Sequence, residues 1–136
     1  MVQVVHPELE PQQRILIVED ETDILALITF VLERAGYDVV CVTAVAEARS
    51  AISLYDFDAA LVDLYLPDGR GDEVVGILRR ESPETHIVVT SAFTQSPLVP
   101  QFATEAGDAF LAKPFNTAAL VAAVTNRPLA VRARSA

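Results

Sequence analysis

The chain predicts an α/β domain: a doubly wound, five-stranded parallel sheet of the (βα)5 type with helices on both faces. Three observations lead there. Short unbroken runs of β-branched and aliphatic residues lack the polar alternation of a sheet open to water on one side, which marks strands buried on both faces. Each run but one is followed by a stretch whose apolar residues recur at helical intervals, so strand and helix alternate between residues 14 and 127. Polar residues collect at the carboxyl ends of four of the five strands.

Taken in order, residues 1–13 hold Pro7 and Pro11 among polar side chains and show no periodicity, and they are expected to form an extended arm. Ile15, Leu16, Ile17 and Val18 make the first strand, which stops at Glu19, Asp20 and Glu21. From 23 to 35, the residues Ile24, Leu27, Ile28, Val31 and Leu32 line one helical stripe. Thr22 or Asp23 is placed to cap its start, and Gly36 to take the left-handed position at its end. A strand at 38–42, an Ala-rich helix at 44–53, a strand at 59–63, a helix at 72–80 and a strand at 86–91 follow. The fourth helix falls within 94–106, where Pro97 and Pro100 allow it to begin only near Leu98 or make it irregular. A strand at 109–112 and a helix at 117–126 complete the pattern, and residues 128–136 read as a short tail after Pro128.

A chain of 136 residues has the length of one domain, expected at 14–127, with no room for a second. Its 51% apolar and 21% charged content excludes disorder and low complexity as descriptions of the whole. Ten basic residues against nineteen acidic give a net charge of −9, which disfavours a nucleic-acid backbone or an anionic membrane as a partner. No apolar run reaches the ~20 residues that span a bilayer, and no signal-peptide pattern opens the chain, so a cytoplasmic location is expected. Cys41 is the one cysteine, which excludes an internal disulfide and a Cys-rich zinc site; within its apolar run it is expected to be buried and inert.

In an open α/β sheet, ligands bind beyond the carboxyl ends of the strands. Here those ends deliver Glu19 and Asp20, Asp63, Ser91, and the run Phe110, Leu111, Ala112 leading into Lys113 and Pro114. Carboxylates gathered at one rim repel one another unless a cation intervenes, and an all-oxygen acidic site selects a hard divalent ion such as Mg²⁺, or Mn²⁺ in its place. An ammonium from Lys113 and a hydroxyl from Ser91 beside that ion would hold two oxygens of a phosphoryl group, leaving Asp63 as the central nucleophile.

The ordered set resembles the receiver domains of response regulators, the CheY-like family of two-component signalling. The set comprises Glu19 and Asp20, Asp63 with Pro67 and Gly71, Ser91 and Ala92, Phe110, and Lys113, Pro114 and Phe115. The spacings also agree, with 28 residues from Asp63 to Ser91 and 22 from Ser91 to Lys113. The resemblance implies Asp63 as phosphoacceptor and Asp20 as a direct Mg²⁺ ligand. It makes Glu19 a ligand through water and the Tyr65 backbone carbonyl a third protein oxygen for the metal. It implies a switch in which Ser91 is drawn toward the phosphoryl group and Phe110 turns inward, reshaping the face of the fourth helix, fifth strand and fifth helix. It implies a histidine kinase or phosphotransfer protein as donor, a downstream protein target at that face, and a cis bond at Lys113–Pro114. The chain would then be a stand-alone signalling receiver rather than an enzyme, catalysing only its own phosphorylation and slow dephosphorylation.

This sequence departs from the family in using serine where threonine is usual, which keeps the hydroxyl and loses rotamer restriction. Thr90 is the rival hydroxyl, with core packing as its ordinary role. Ala106 and Gly107 stand in place of the family's Gly-Ala. Tyr65 and Phe93, each two residues past a site residue, are expected to obstruct in-line water and lengthen the phosphoryl lifetime. Glu21 reads as a solvated helix start, His6 and His86 as surface or strand-edge residues, and Asp68, Asp72 and Asp108 as turn and cap residues. Three other functions compete with this one: a phosphorylation-independent scaffold; a flavodoxin-like flavin carrier, which Glu19, Asp20 and Glu21 would repel; and a haloacid-dehalogenase-type phosphatase, which needs an Asp-x-Asp pair after its first strand.

Overall fold

The structure, a computed structural model, describes residues 12–92 and 107–125. The elements run β1 (Arg14–Val18), α1 (Thr22–Arg34), β2 (Asp38–Val42), α2 (Val45–Leu54), β3 (Ala59–Asp63), β4 (Tyr65–Leu66), β5 (Gly69–Arg70) and α3 (Gly71–Glu81). They continue with β6 (His86–Ser91), β7 (Ala109–Ala112) and α4 (Thr117–Thr125). The main sheet is five-stranded and parallel, in the order β2-β1-β3-β6-β7, and β4 and β5 form a separate antiparallel hairpin. The strand order reverses between β1 and β3, and the carboxyl ends of these two strands bound the crevice where such folds place their ligands. The fourth helix expected within 94–106, residues 1–11 of the arm expected at 1–13, and the tail at 128–136 lie outside the described residues.

Side chains alternate across each strand, and both faces are dry. Leu16, Val18, Ala60, Val62, Ile87 and Val89 pack with α2 and α3 through Val45, Ala48, Ile52, Val74 and Leu78. On the other face Ile15, Ile17, Ala59, Leu61 and Val88 pack with Ile28 and Leu32 of α1 and Leu120 and Val124 of α4. Burying a side chain of this size contributes roughly 1.5–3 kcal/mol, so the central strands β1 and β3 are the most firmly held part of the platform.

The end of α1 follows expectation. Gly36 sits at φ 99°, where its amide and that of Tyr37 reach the carbonyls of Glu33 and Leu32. Its start differs: the N-cap is Glu21, with no side-chain cap, and neither Thr22 nor Asp23 caps the helix. Cys41 also differs. It lies on edge strand β2 and is exposed, with Sγ 3.0 Å from the Thr29 hydroxyl, because a two-sided apolar pattern does not reveal which strand falls at the sheet edge. His86 is buried, not at the surface: the end of α4 covers it, and its Nε2 lies 2.9 Å from the Ala123 carbonyl. His6 lies outside the described residues.

Candidate functional site

The parallel register brings the ends of β1, β3 and β7 to one rim. Glu19 follows β1 directly, and its amide donates to the Val42 carbonyl of β2 at 3.1 Å, which extends the ladder by one residue and leaves the side chain 1% exposed. Asp63 is the last residue of β3, buried, with Thr90 as its register partner. Asp20 is exposed beside them. One oxygen from each of Glu19, Asp20 and Asp63 lies within 4.8 Å of the others, a donor set of the hard, anionic kind that suits a divalent cation.

Lys113 reaches this cluster from the loop after β7. Its Nζ lies 2.6 Å from Glu19 Oε1, 3.0 Å from Asp63 Oδ2 and 3.4 Å from Glu21 Oε1. The Lys113 amide donates to the Ser91 carbonyl at 3.1 Å, and the Lys113–Pro114 bond is cis, as expected. Burial works against the ammonium, but hydrogen bonds and attraction from Glu19 and Asp63 outweigh it and hold its pKa above the ordinary lysine value. Glu19 moves up from the usual carboxylate value because burial, with repulsion from Asp63, outweighs its bonds to Lys113 and to the Glu21 amide. One ammonium thus serves three carboxylates, with Asp20 beside them, and among the described residues the rim keeps a surplus of negative charge.

The loop after Asp63 is compact. The Tyr65 amide donates to Asp63 Oδ1 at 3.2 Å, and the Gly71 amide donates to the Leu64 carbonyl at 2.8 Å. A Cβ on Gly71 would collide with the Asp63 carbonyl, so only glycine permits this approach of α3 to the end of β3. The Tyr65 side chain is exposed and lies under the Arg70 guanidinium, 5.2 Å from the ring centre. Phe93, its expected companion, lies outside the described residues.

The two candidate hydroxyls separate cleanly. Thr90 is buried and donates to the Leu111 carbonyl at 2.6 Å, a bond internal to the sheet. Ser91 is fully buried at the end of β6 and shares the strand face of Ile87 and Val89. Phe110 is the register partner of Val89 and packs against the same cluster, so Ser91 and Phe110 lie on one face of the sheet.

Two features exceed the sequence reading. Glu21, expected only to start a helix, contributes a carboxylate to Lys113, a contact across 92 positions that periodicity cannot register. Beside it, a cleft of about 450 Å³ is lined by Ile24, Leu27, Ala92, Pro114 and Phe115, with Glu21 and Lys113 at its charged edge. Among the described residues, no helix is long and apolar enough to cross a membrane.

Comparison with known proteins agrees with this geometry. A family model described as the response regulator receiver domain matches residues 15–125. The DNA-binding response regulator MtrA of Mycobacterium tuberculosis is 33% identical over 116 residues, covering 85% of this chain and 50% of that protein. The chain spans about half or less of the length of the first curated relatives it matches. Among solved structures, a CheY-like receiver domain from Methanospirillum hungatei superposes with a TM-score of 0.80 at 28% identity, covering 92% of this chain and 98% of that one. The response regulator TrrA of Thermotoga maritima, solved in complex with Mg²⁺ and BeF, superposes with a TM-score of 0.68 at 27% identity, covering 76% of this chain and 89% of that one. By its fold, its motif and the family match, the chain belongs to the response-regulator receiver domains, the signalling domains of two-component systems.

Proposed function

We propose that this chain accepts a phosphoryl group on Asp63 from a histidine kinase or phosphotransfer protein, with Mg²⁺ or Mn²⁺ at the acidic rim, and signals through a protein partner. The observation that carries the reading is the convergence of Glu19, Asp20 and Asp63 within ligand distance of one another while Lys113 holds Asp63. Glu19, Asp20, Asp63 and the Tyr65 carbonyl are the groups that would hold the metal, and TrrA, a relative of the same fold, was solved with Mg²⁺. When bound, the ion screens the repulsion between a carboxylate nucleophile and the phosphoryl oxygens.

In the transfer itself a carboxylate oxygen of Asp63 attacks phosphorus in line. The P–N bond to the donor histidine breaks, its electron pair returns to the imidazole, and an acyl phosphate remains on Asp63. Lys113 keeps its proton and turns from Asp63 toward a phosphoryl oxygen, so its charge is in place before reaction and little reorganisation is needed. Ser91 donates its hydroxyl to another phosphoryl oxygen, and Phe110, on the same sheet face, moves into the space released. Tyr65, beside Asp63, hinders water from the acyl phosphate and slows its hydrolysis.

The cleft beside Lys113 offers apolar purchase for a donor helix, and the acidic balance of the chain favours protein over nucleic acid as its direct partner. DNA binding is a property of MtrA as a whole protein. The test is intact mass after incubation with acetyl phosphate and Mg²⁺. A gain of one phosphoryl group that requires Mg²⁺ and disappears in Asp63→Asn is expected. No gain, with acetyl phosphate or a cognate kinase, moves the reading to a phosphorylation-independent scaffold.

A further inference from the structure

Helix α2 has no cap of its own. Its N-cap residue is Ala44, extended at φ −151° and ψ 161°, with only a methyl to offer, and the nearby Thr43 donates both its amide and its hydroxyl to Glu47. The first amides of the helix are nevertheless bonded. Val45 N donates to Asp68 Oδ1 at 2.7 Å and Ala46 N to Asp68 Oδ2 at 3.1 Å, so the cap arrives from a residue more than twenty positions later. These two bonds hold the Asp68 pKa below the ordinary aspartate value, as expected of a carboxylate that caps as an anion.

Asp68 stands in the turn of the β4–β5 hairpin, whose other points are also fixed. Tyr65 N donates to Asp63 Oδ1, Gly71 N to the Leu64 carbonyl, and Arg70 N to Glu73 Oε2. At Gly69 a Cβ would lie 2.7 Å from Glu73 Oε2 and 3.2 Å from Val45 Cγ2, so the hairpin turn is seated against both α3 and α2. The contact to α2 ties the hairpin turn to an element outside the segment from β3 to α3.

We infer that Asp68 is a positioning residue, whose cap on α2 fixes the hairpin after Asp63 and couples order at the start of α2 to cation binding at the acidic rim. The inference rests on the proposed metal site. Because such coupling is reciprocal, a cation at Asp63 and the Tyr65 carbonyl steadies the α2 amides, and a loose α2 start weakens the cation site.

The test uses the full chain and Mg²⁺ alone, read from the amide resonances of Leu64 and Tyr65, with amide exchange at Val45 and Ala46 measured in parallel. In the unaltered chain Mg²⁺ is expected to slow exchange at both α2 amides. Asp68→Ala is expected to speed that exchange and to raise the half-saturating Mg²⁺ roughly three- to tenfold, at or below the loss usual for outer partners of metal ligands. Asp68 is exposed, so this variant keeps its core. The double variant Asp68→Ala with Ala44→Asp gives α2 a cap of its own and separates capping from positioning. It is expected to recover amide protection and the melting midpoint while the Mg²⁺ requirement stays raised. An unchanged half-saturation in Asp68→Ala, or its recovery in the double variant, overturns the inference. No Mg²⁺ response in the unaltered chain overturns the proposed metal site, and the coupling with it.

Discussion

The two ends of this sheet use acidic residues in opposite ways. At the amino edge, carboxylates have partners assigned to them. Asp58 accepts the Arg14 amide at 2.8 Å, Asp108 accepts the Ile87 amide at 2.8 Å and pairs with Arg79, and Asp38 pairs with Arg14. At the carboxyl edge, Glu19, Asp63 and Glu21 share Lys113 with Asp20 beside them, no second cation pairs with them among the described residues, and Glu19 and Asp63 are buried. Asp58 and Asp108 complete the hydrogen bonding of strands, and Asp38 is matched by a cation. The acids of the second edge carry a charge that the described residues do not neutralise, at the rim for which we propose phosphoryl chemistry.

The contrast is open to direct attack. The largest effect is expected from Gly71→Ala, which drives a methyl into the Asp63 carbonyl: a loss of about 3 kcal/mol in urea unfolding, at the upper end of overpacking costs. At the amino edge, Asp108→Ala strands the buried Ile87 amide and frees Arg79, and about 2 kcal/mol of stability should be lost. At the carboxyl edge, Asp20→Asn should leave metal-free stability within about 0.5 kcal/mol of the unaltered chain. The same change should lower Mg²⁺ affinity at least about tenfold by calorimetric titration.

Asp68 supplies the smallest effect and a useful cross-check, because it stands near the carboxyl edge yet is bonded to amides like the acids of the amino edge. Its pKa is lowered in the folded chain, so the stability it contributes is present above pH 3.8 and is lost as pH falls below that value. Unfolding of the unaltered chain and Asp68→Asn should therefore differ near neutrality and converge in acid.

The strands, helices and acid–lysine constellation were legible in the sequence because their signals are local: an unbroken apolar run, a helical stripe, and fixed spacing between strand ends. Glu19, Asp63 and Lys113 meet because a parallel sheet must place its carboxyl ends together, so fold class alone converts their spacing into proximity. What the sequence did not disclose depends on edges and on long-range neighbours. Cys41 and Ile17 stand in similar runs, and only the strand order makes one exposed and the other buried. His86 is buried because the end of α4 lies over it, and Glu21 reaches Lys113 through tertiary contact. Asp68 was legible as a turn or cap residue, whereas the helix it caps, α2, was not.

The most direct measurement is the melting midpoint of the unaltered chain and of Asp20→Asn across a Mg²⁺ series, with NaCl at matched ionic strength as control. If the carboxyl edge is a divalent-cation site, Mg²⁺ raises the midpoint of the unaltered chain with concentration, as a ligand of the folded state must. Asp20→Asn then responds to Mg²⁺ little more than to NaCl. Equal Mg²⁺ responses in the two proteins, or none beyond that of NaCl in either, would contradict the account.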